Sequence, residues 1–387
     1  MAVERQNDVD FNHRLQECSE LIDAAELELS FYMTQATNDD YPMYFGSGKI
    51  DEFDEKRQEE GIETVICLDE LSPSQHRNLE ERFNCEVLDR TQLILVIFGR
   101  RAQSREAKLQ AESARLSYLL PRLKTQRSHV GRQQGGAAKT RGAGETLVDL
   151  RRRVATKQFQ TIQRELKRLE FVHETQSLAR RKSSTIVCAF VGYTNVGKSS
   201  LMNALLERLN HSHDKSVVAN DRLFETLSTA SRSTQLTGKE IILTDTVGFI
   251  RKLPHHLVES FKSTLDEVRE ADLLLHVVDI SHSNFEEQVN VVNETLKEMN
   301  ALDKPTIMVF NKIDAFTYDK KDEDDLTPAT KENYSLEDLK KMWMSKNTHP
   351  TVYISAAKKI NTDELKDVLY KHIKKTHLEI YPNMLLY

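Results

Sequence analysis

Ser184–Leu209 reads STIVCAFVGYTNVGKSSLMNALLERL, and this stretch decides the fold. An apolar β-run ends at Val191 and a helical run follows Ser199; between them stands G-x4-G-K-S, namely Gly192, Tyr193, Thr194, Asn195, Val196, Gly197, Lys198 and Ser199. The spacing has a chemical reason. Glycines let the backbone wrap phosphates so that amide N–H groups point inward at the start of a helix. Lys198 then neutralises the β- and γ-phosphates, and the Ser199 hydroxyl is a ligand for Mg2+.

Three further elements lie downstream, each at the end of a β-run. Asp245, Thr246, Val247 and Gly248 follow EIILT; Asp245 is expected to hold Mg2+ through water and the Gly248 amide to sense the γ-phosphate. Asn311, Lys312, Ile313 and Asp314 follow TIMVF and select the base. A carboxylate at Asp314 accepts from both the ring N–H and the exocyclic amine of guanine, whereas adenine would leave one oxygen unpaired. Lys312 would lie along the base and Asn311 would tie this loop to the phosphate loop. Ser355, Ala356 and Ala357 follow TVYI and would place a backbone amide on guanine O6. The chain is therefore expected to bind GTP and GDP. One hydroxyl between Leu209 and Asp245 should reach Mg2+ when GTP is bound; Thr226, Ser228, Thr229, Ser231, Ser233 and Thr234 are all candidates.

Phe249 occupies the position after Gly248, where many small GTPases carry a water-orienting glutamine. A phenyl ring cannot orient water, so slow intrinsic hydrolysis is expected unless a partner or another polar group completes the site. Asn195 is a candidate ligand for K+ beside the β- and γ-phosphates, with loop stabilisation as the alternative.

STIVCAFVG, KEIILTDTVG, DLLLHVVDI, PTIMVFNKID and PTVYISA alternate with helical segments, which indicates an α/β, doubly wound, mainly parallel sheet. Ahead of it, residues 100–182 hold 21 Lys and Arg against 7 Asp and Glu, a balance of +14 within a chain of net charge −6. Two helical patterns flank the Gly-rich basic run of residues 131–145 and suggest a long antiparallel hairpin, the second helix beginning near Glu145. Residues 1–99 read as a small α/β domain, with Glu63–Asp69 and Leu93–Phe98 (LILVIF) as strands. The expected division is thus residues 1–99, 100–182, 183–376 for the nucleotide domain, and a tail, 377–387.

The chain has 387 residues, of which 39% are apolar and 29% charged, enough for two or three domains. No apolar run approaches the roughly 18–20 residues needed to cross a bilayer, and the N-terminus is too polar for a secretory signal. Cys18, Cys67, Cys85 and Cys188 show no metal-ligand spacing and read as reduced thiols, so a cytoplasmic protein is expected. Cys188 and Trp343 read as core residues, and His255-His256 as a solvated turn.

DTVGFIRKLPHHLVESFKSTLDEVREADLLLHVVDIS, FGSGKIDEF, DELSPSQHRNLE, DRTQLILVIFGRRAQSREAKLQAESARLSYLLPRL and TRGAGET together resemble the HflX family of ribosome-associated GTPases, of the TRAFAC P-loop class and related to the Obg-like group. The resemblance spans roughly residues 15–375. It implies a Mg2+-dependent GTP hydrolase, with Lys198, Thr226 and Gly248 at the catalytic centre. It also aligns LFETL with the family's switch I. Phe224, Glu225, Thr226, Leu227 and Ser228 then border the nucleotide, and Thr226 joins Ser199 as a Mg2+ ligand. The partner implied is the large (50S) ribosomal subunit, with Arg132, Lys139 and Arg141 of the hairpin tip on rRNA phosphates, no DNA, and action as a monomer. Ribosome dissociation or rescue is the implied role. Large-subunit assembly, or a guanine-nucleotide switch acting on a protein, are the alternatives.

Overall fold

The computed structural model describes residues 1–6, 11–133, 147–182, 185–209, 230–236, 239–251, 262–320, 333–346 and 349–380. They fall into two compact units, one from Met1–Leu169 and one from Glu170–Leu253 and Phe261–Tyr387. Residues 1–99 and most of 100–182 lie in the first of these units.

The first unit begins β1 (Ala2–Glu4), α1 (Phe11–Ala24), β2 (Thr34–Ala36), α2 (Ser47–Glu59), β3 (Thr64–Ile66), α3 (Pro73–Phe83), β4 (Glu86–Leu88) and α4 (Arg90–Arg101). β1 pairs with β2 and β3 with β4, both in parallel. Phe45, Ile50, Phe53, Val65, Leu79, Phe83 and Val87 fill the core between them.

LILVIF is not a strand; it lies inside α4. Short buried apolar runs read alike in either state. The deciding signal sits just upstream, where Asp89 accepts from the Gln92 amide at 2.8 Å and the Gln92 side chain accepts from the Asp89 amide at 3.0 Å. This capping box starts a helix. Leu93, Ile94, Leu95, Ile97 and Phe98 are all buried along it.

α5 (Arg105–Gln133) and α6 (Leu147–Lys182) form the antiparallel hairpin, as Arg105 pairing with Glu165 and Gln158 with Glu112 show. Leu116, Ala155, Ile162 and Leu166 make its seam. Buried Asp89 ties α5 to the rest of the unit: it accepts from the Leu71 amide at 3.2 Å, from the Tyr118 hydroxyl, and from Arg122 at 3.5 Å. The Arg122 guanidinium lies over the Tyr118 ring at 3.3 Å. A buried carboxylate is tolerated only when so supplied with donors, so the cap of α4 also holds the middle of α5.

The second unit runs β5 (Ile186–Val191), α7 (Lys198–Leu209), β6 (Ala230–Leu236), β7 (Lys239–Asp245), α8 (Lys262–Glu270), β8 (Leu273–Asp279), α9 (Phe285–Glu298), β9 (Thr306–Asn311), α10 (Leu336–Lys346), β10 (Thr351–Tyr353) and α11 (Thr362–Ile380). Six strands form one sheet in the order β10-β9-β8-β5-β7-β6, parallel except for the β6–β7 hairpin. β5, first in sequence, sits between β8 and β7, so its carboxyl end is the point where the winding reverses and ligands of such sheets bind. α11 passes the boundary expected at residue 376 and buries both Thr376 and His377. Cys188 is buried in β5, and Trp343 packs on Phe285 and Phe310 with centroids at 5.8 and 5.2 Å. His255 and His256 lie outside the described residues. All four cysteines are free thiols, and no helix among the described residues is long and apolar enough to cross a membrane.

His276 is buried in the middle of β8, and burial, then His349 and Lys198, push its pKa down to about 3. In the unfolded chain it would titrate near 6.5, so the unfolded state binds the extra proton between these values. Stability contributed by the neutral ring is therefore present above about pH 6.5 and lost as pH falls, by roughly 1.4 kcal/mol per unit. His276→Met should flatten the fall in urea-unfolding free energy between pH 6.5 and 4.5; parallel curves for the two proteins would refute this.

Candidate functional site

Every nucleotide motif that the structure describes stands at the carboxyl edge of the sheet. Gly192–Ser199 joins β5 to α7, Asp245 ends β7, Asn311 ends β9 and Ser355 follows β10. A parallel sheet brings these ends to one side although they lie far apart in sequence.

The phosphate loop is shaped before any ligand arrives. Gly197 has φ 88°, and a Cβ there would lie 2.4 Å from Asn311 Nδ2, so only glycine fits. Asn195 takes φ 60°, which asparagine tolerates better than most residues. Lys198 Nζ donates to the carbonyls of Gly192 at 3.2 Å and Tyr193 at 2.7 Å. The lysine is buried, and burial pushes its pKa down to about 8, against the nearby Asp245 carboxylate, which raises it. A buried ammonium held by two neutral carbonyls is an incomplete environment that a phosphate oxygen would complete.

Ser199 Oγ donates to Asp245 Oδ2 at 2.5 Å. A hydroxyl and a buried carboxylate converging at a helix N-terminus are hard oxygen donors of the kind Mg2+ takes. These two residues fit the ion, and they would hold it against the phosphates and neutralise charge there. Thr226, with Phe224, Glu225, Leu227 and Ser228, lies outside the described residues, as does Thr229. Of the other switch I candidates, Ser231, Ser233 and Thr234 stand on β6. Ser231 bonds Thr244 Oγ1 at 3.0 Å and Ser233 donates to Glu240 at 2.5 Å, so both hydroxyls are committed to the sheet.

The loop after Asp245 is laced to the phosphate loop. The Thr194 amide donates to the Phe249 carbonyl at 2.8 Å, and the Phe249 amide to the Gly192 carbonyl at 3.1 Å. Tyr193 Oη accepts from the Arg251 amide at 3.0 Å. Thr246 Oγ1 donates to the Phe190 carbonyl at 2.6 Å, and Val247 is buried beside it. A Cβ on Gly248 would come within 2.7 Å of Thr194 Cα and 2.9 Å of Lys198 Nζ. Phe249 is buried and its ring offers no hydrogen bond.

At the base end, the Asn311 carboxamide donates to the Val196 carbonyl at 2.9 Å and accepts from the Ala356 amide at 2.9 Å. One buried side chain thus joins three motifs. Lys312, with φ 62°, pairs with Asp279 at 2.9 Å. Asp279 also accepts from the Ser281 hydroxyl and amide at 2.6 and 3.0 Å, a support that the motif spacing does not reveal. A hydrogen bond from Ser355 and the ammonium of Lys358, 3.5 Å away, hold the Asp314 carboxyl below the usual carboxylate range. An ionised Asp314 is the double acceptor that guanine needs. Ile313 packs in the core beside Phe310 and Tyr353, and Ala357 is exposed. Lys139 and Arg141 lie outside the described residues; Arg132 falls in the last turn of α5.

Comparison with known proteins agrees with this geometry. Residues 187–312 match the family described as 50S ribosome-binding GTPase, residues 12–99 that of GTP-binding GTPase N-terminal, and residues 101–180 that of GTP-binding GTPase Middle Region. The GTPase HflX of Flavobacterium psychrophilum is 44% identical over 347 residues, 89% of this chain and 82% of that protein. The GTPase HflX of Escherichia coli K12 is 42% identical over 302 residues, 78% of this chain and 69% of that protein. Among solved structures, the SsGBP–GDP complex aligns with a TM-score of 0.52 and 25% identity, covering 97% of this chain and 99% of that one.

Two substitutions separate the phosphate and base ends. Lys198→Ala should cut GTP and GDP affinity at least tenfold, since charge-assisted bonds to phosphate are lost; unchanged affinity by calorimetry would refute the loop's assignment. Asp314→Asn exchanges one acceptor for a donor. It should lower guanine preference about 100-fold and favour xanthine, whose C2 carbonyl accepts; an unchanged GTP-to-XTP ratio would refute the base assignment.

Proposed function

The chain belongs to the HflX family of GTPases, and from that premise we propose that it acts on the large ribosomal subunit, using GTP binding and hydrolysis to dissociate or rescue ribosomes. The hydrolysis itself comes with the family. The observation that carries the ribosomal reading is the surface of α6. At roughly 3.6 residues per turn, Ala155, Phe159, Ile162 and Leu166 face the seam of the hairpin, and Lys157, Arg164, Lys167 and Arg168 fall on the opposite side. All four cations are exposed, and none has an ion-pair partner among the described residues. A stripe of unneutralised charge along one helix suits the phosphates of structured RNA, which proteins bind by shape and electrostatics. A signalling switch aimed only at proteins would leave this stripe without a task.

The tip residues Arg132, Lys139 and Arg141 belong to the same proposal as contacts with rRNA phosphates. Potassium belongs to it too. The Asn195 side chain makes no hydrogen bond among the described residues, so its carboxamide oxygen is available to a monovalent cation beside the β- and γ-phosphates. Burial of Phe249 supports slow turnover by the chain alone and acceleration on its partner.

The test is GTP turnover with and without 70S ribosomes or 50S subunits, with sedimentation to follow subunit separation. Turnover should rise on ribosomal particles, and 70S should convert to subunits in the GTP state. Reversing Lys157, Arg164, Lys167 and Arg168 to Glu should weaken co-sedimentation at least tenfold and reduce its salt dependence. Full binding by that variant would overturn the assignment of α6, and a preference for immature particles over 70S would favour an assembly role.

A further inference from the structure

Lys312 has the longest side chain of the base motif, and its charge is engaged before any nucleotide is bound. Its ammonium lies 2.9 Å from Asp279 Oδ2, in a pair whose side chains are 28% and 12% exposed. The sheet itself creates this pairing. β8 and β9 run parallel with Asp279 in register with Asn311, and the Ile280 amide donates to the Asn311 carbonyl at 3.1 Å. The last residue of β8 therefore stands beside the residue that opens the base motif, one position before the lysine.

Both partners are fixed. The second oxygen of Asp279, Oδ1, accepts from the Ser281 hydroxyl at 2.6 Å and from the Ser281 amide at 3.0 Å. The Lys312 backbone holds φ 62°, a region that few residues with a Cβ adopt. The turn that follows keeps it there: the Ala315 amide donates to the Lys312 carbonyl at 3.0 Å, and the Ile313 amide to the Ile354 carbonyl at 3.2 Å. A lysine set at its Cα and at its ammonium has its methylene stem held between two anchors. An unanchored lysine loses many rotamers when it packs on a ligand, whereas one ordered in advance loses few. The residue is also divided chemically. Its charge is used on a carboxylate, and the stem is an apolar surface suited to the face of a flat base.

We propose that Asp279 is a positioning residue for base binding: it takes the Lys312 ammonium so that the lysine meets the face of the purine through its methylene stem. This rests on the reading of Asn311–Asp314 as the base site. A stem on the face of a purine cannot tell one ring edge from another, so choice among bases stays with Asp314. The two carboxylates then have separable tasks. Asp279 sets how tightly a base is held, and Asp314 sets which base.

The test measures calorimetric affinities for GDP and for inosine diphosphate, which lacks the exocyclic amine. Asp279→Asn should weaken both about tenfold and leave their ratio within about twofold. Lys312→Met keeps an unbranched apolar stem without the ammonium and should weaken both by no more than about tenfold. Adding Asp279→Asn to Lys312→Met should then change neither affinity by more than about twofold, because the charge that Asp279 serves has gone. Ser281→Ala, which leaves the Asp279 charge in place, should weaken both ligands about twofold to threefold. Unchanged GDP affinity in Asp279→Asn, or in Ser281→Ala where Asp279→Asn does not fold, would overturn the proposal. So would an equal loss from Asp279→Asn with and without the lysine ammonium, or a loss of about 100-fold in Lys312→Met, which would make the charge and not the stem the contact. Asp314→Asn separates this from a failure of the base site: if the ratio of GDP to inosine diphosphate stayed as in the unaltered chain, the base assignment itself would be wrong.

Discussion

The Asn311 carboxamide is the interaction on which the nucleotide site depends. Its N–H reaches the Val196 carbonyl in the phosphate loop and its oxygen takes the Ala356 amide in the last motif, while its own backbone ends β9. The side chain is buried, so each bond is made away from competing water and each would leave an orphaned backbone group if broken. The same carboxamide sets the need for glycine at residue 197, because it fills the space a Cβ would take. Base recognition and phosphate binding are thus parts of one hydrogen-bonded assembly. A ligand contacting either end meets a loop whose geometry the other end helps to fix.

A comparable role falls to Asp89 in the first unit. Its carboxylate starts α4, takes the Leu71 amide from the segment before α3 and collects Tyr118 and Arg122 from α5. A buried charge is costly unless every lone pair is used, and here the donors come from three separate segments. The hairpin bearing the basic face of α6 is therefore rooted through a polar cluster as well as through its apolar seam. This is why residues 1–99 and the hairpin pack as one unit although their compositions differ so sharply.

What could be read from the sequence was what chemistry constrains most tightly. A loop that cradles phosphate needs its glycines and lysine at fixed spacing, and a carboxylate that reads guanine needs a strand end to present it. Those motifs announced both the parallel sheet and the location of the site. LILVIF was misread because an apolar run of six carries no period that separates strand from helix, and the Asp89–Gln92 cap that settles the matter lies in three polar residues before it. β6 escaped notice for the opposite reason. ASRSTQL is polar because it is an edge strand paired on one side only, and its hydroxyls resemble Mg2+ ligands in sequence although the sheet uses those of Ser231 and Ser233. The support that Asp279 gives Lys312 depends on packing between segments distant in sequence. No spacing rule contains it.

Phe249 brings these strands of argument together. Its backbone is wholly engaged, donating to Gly192 and accepting from Thr194, and its ring is buried. A side chain so placed holds the loop after Asp245 against the phosphate loop, and in doing so brings Gly248 within reach of Lys198. The position has been given to closing the site, not to orienting water. Catalysis by electrostatic positioning does not require one residue to do both. It requires donors aimed at the terminal phosphate and a means of ordering the nucleophile. On the proposed reading, Lys198 and the Gly248 amide would supply the first. If a binding partner supplies the second, hydrolysis becomes conditional on that partner, the behaviour a GTPase needs if nucleotide turnover is to report that it has reached its target.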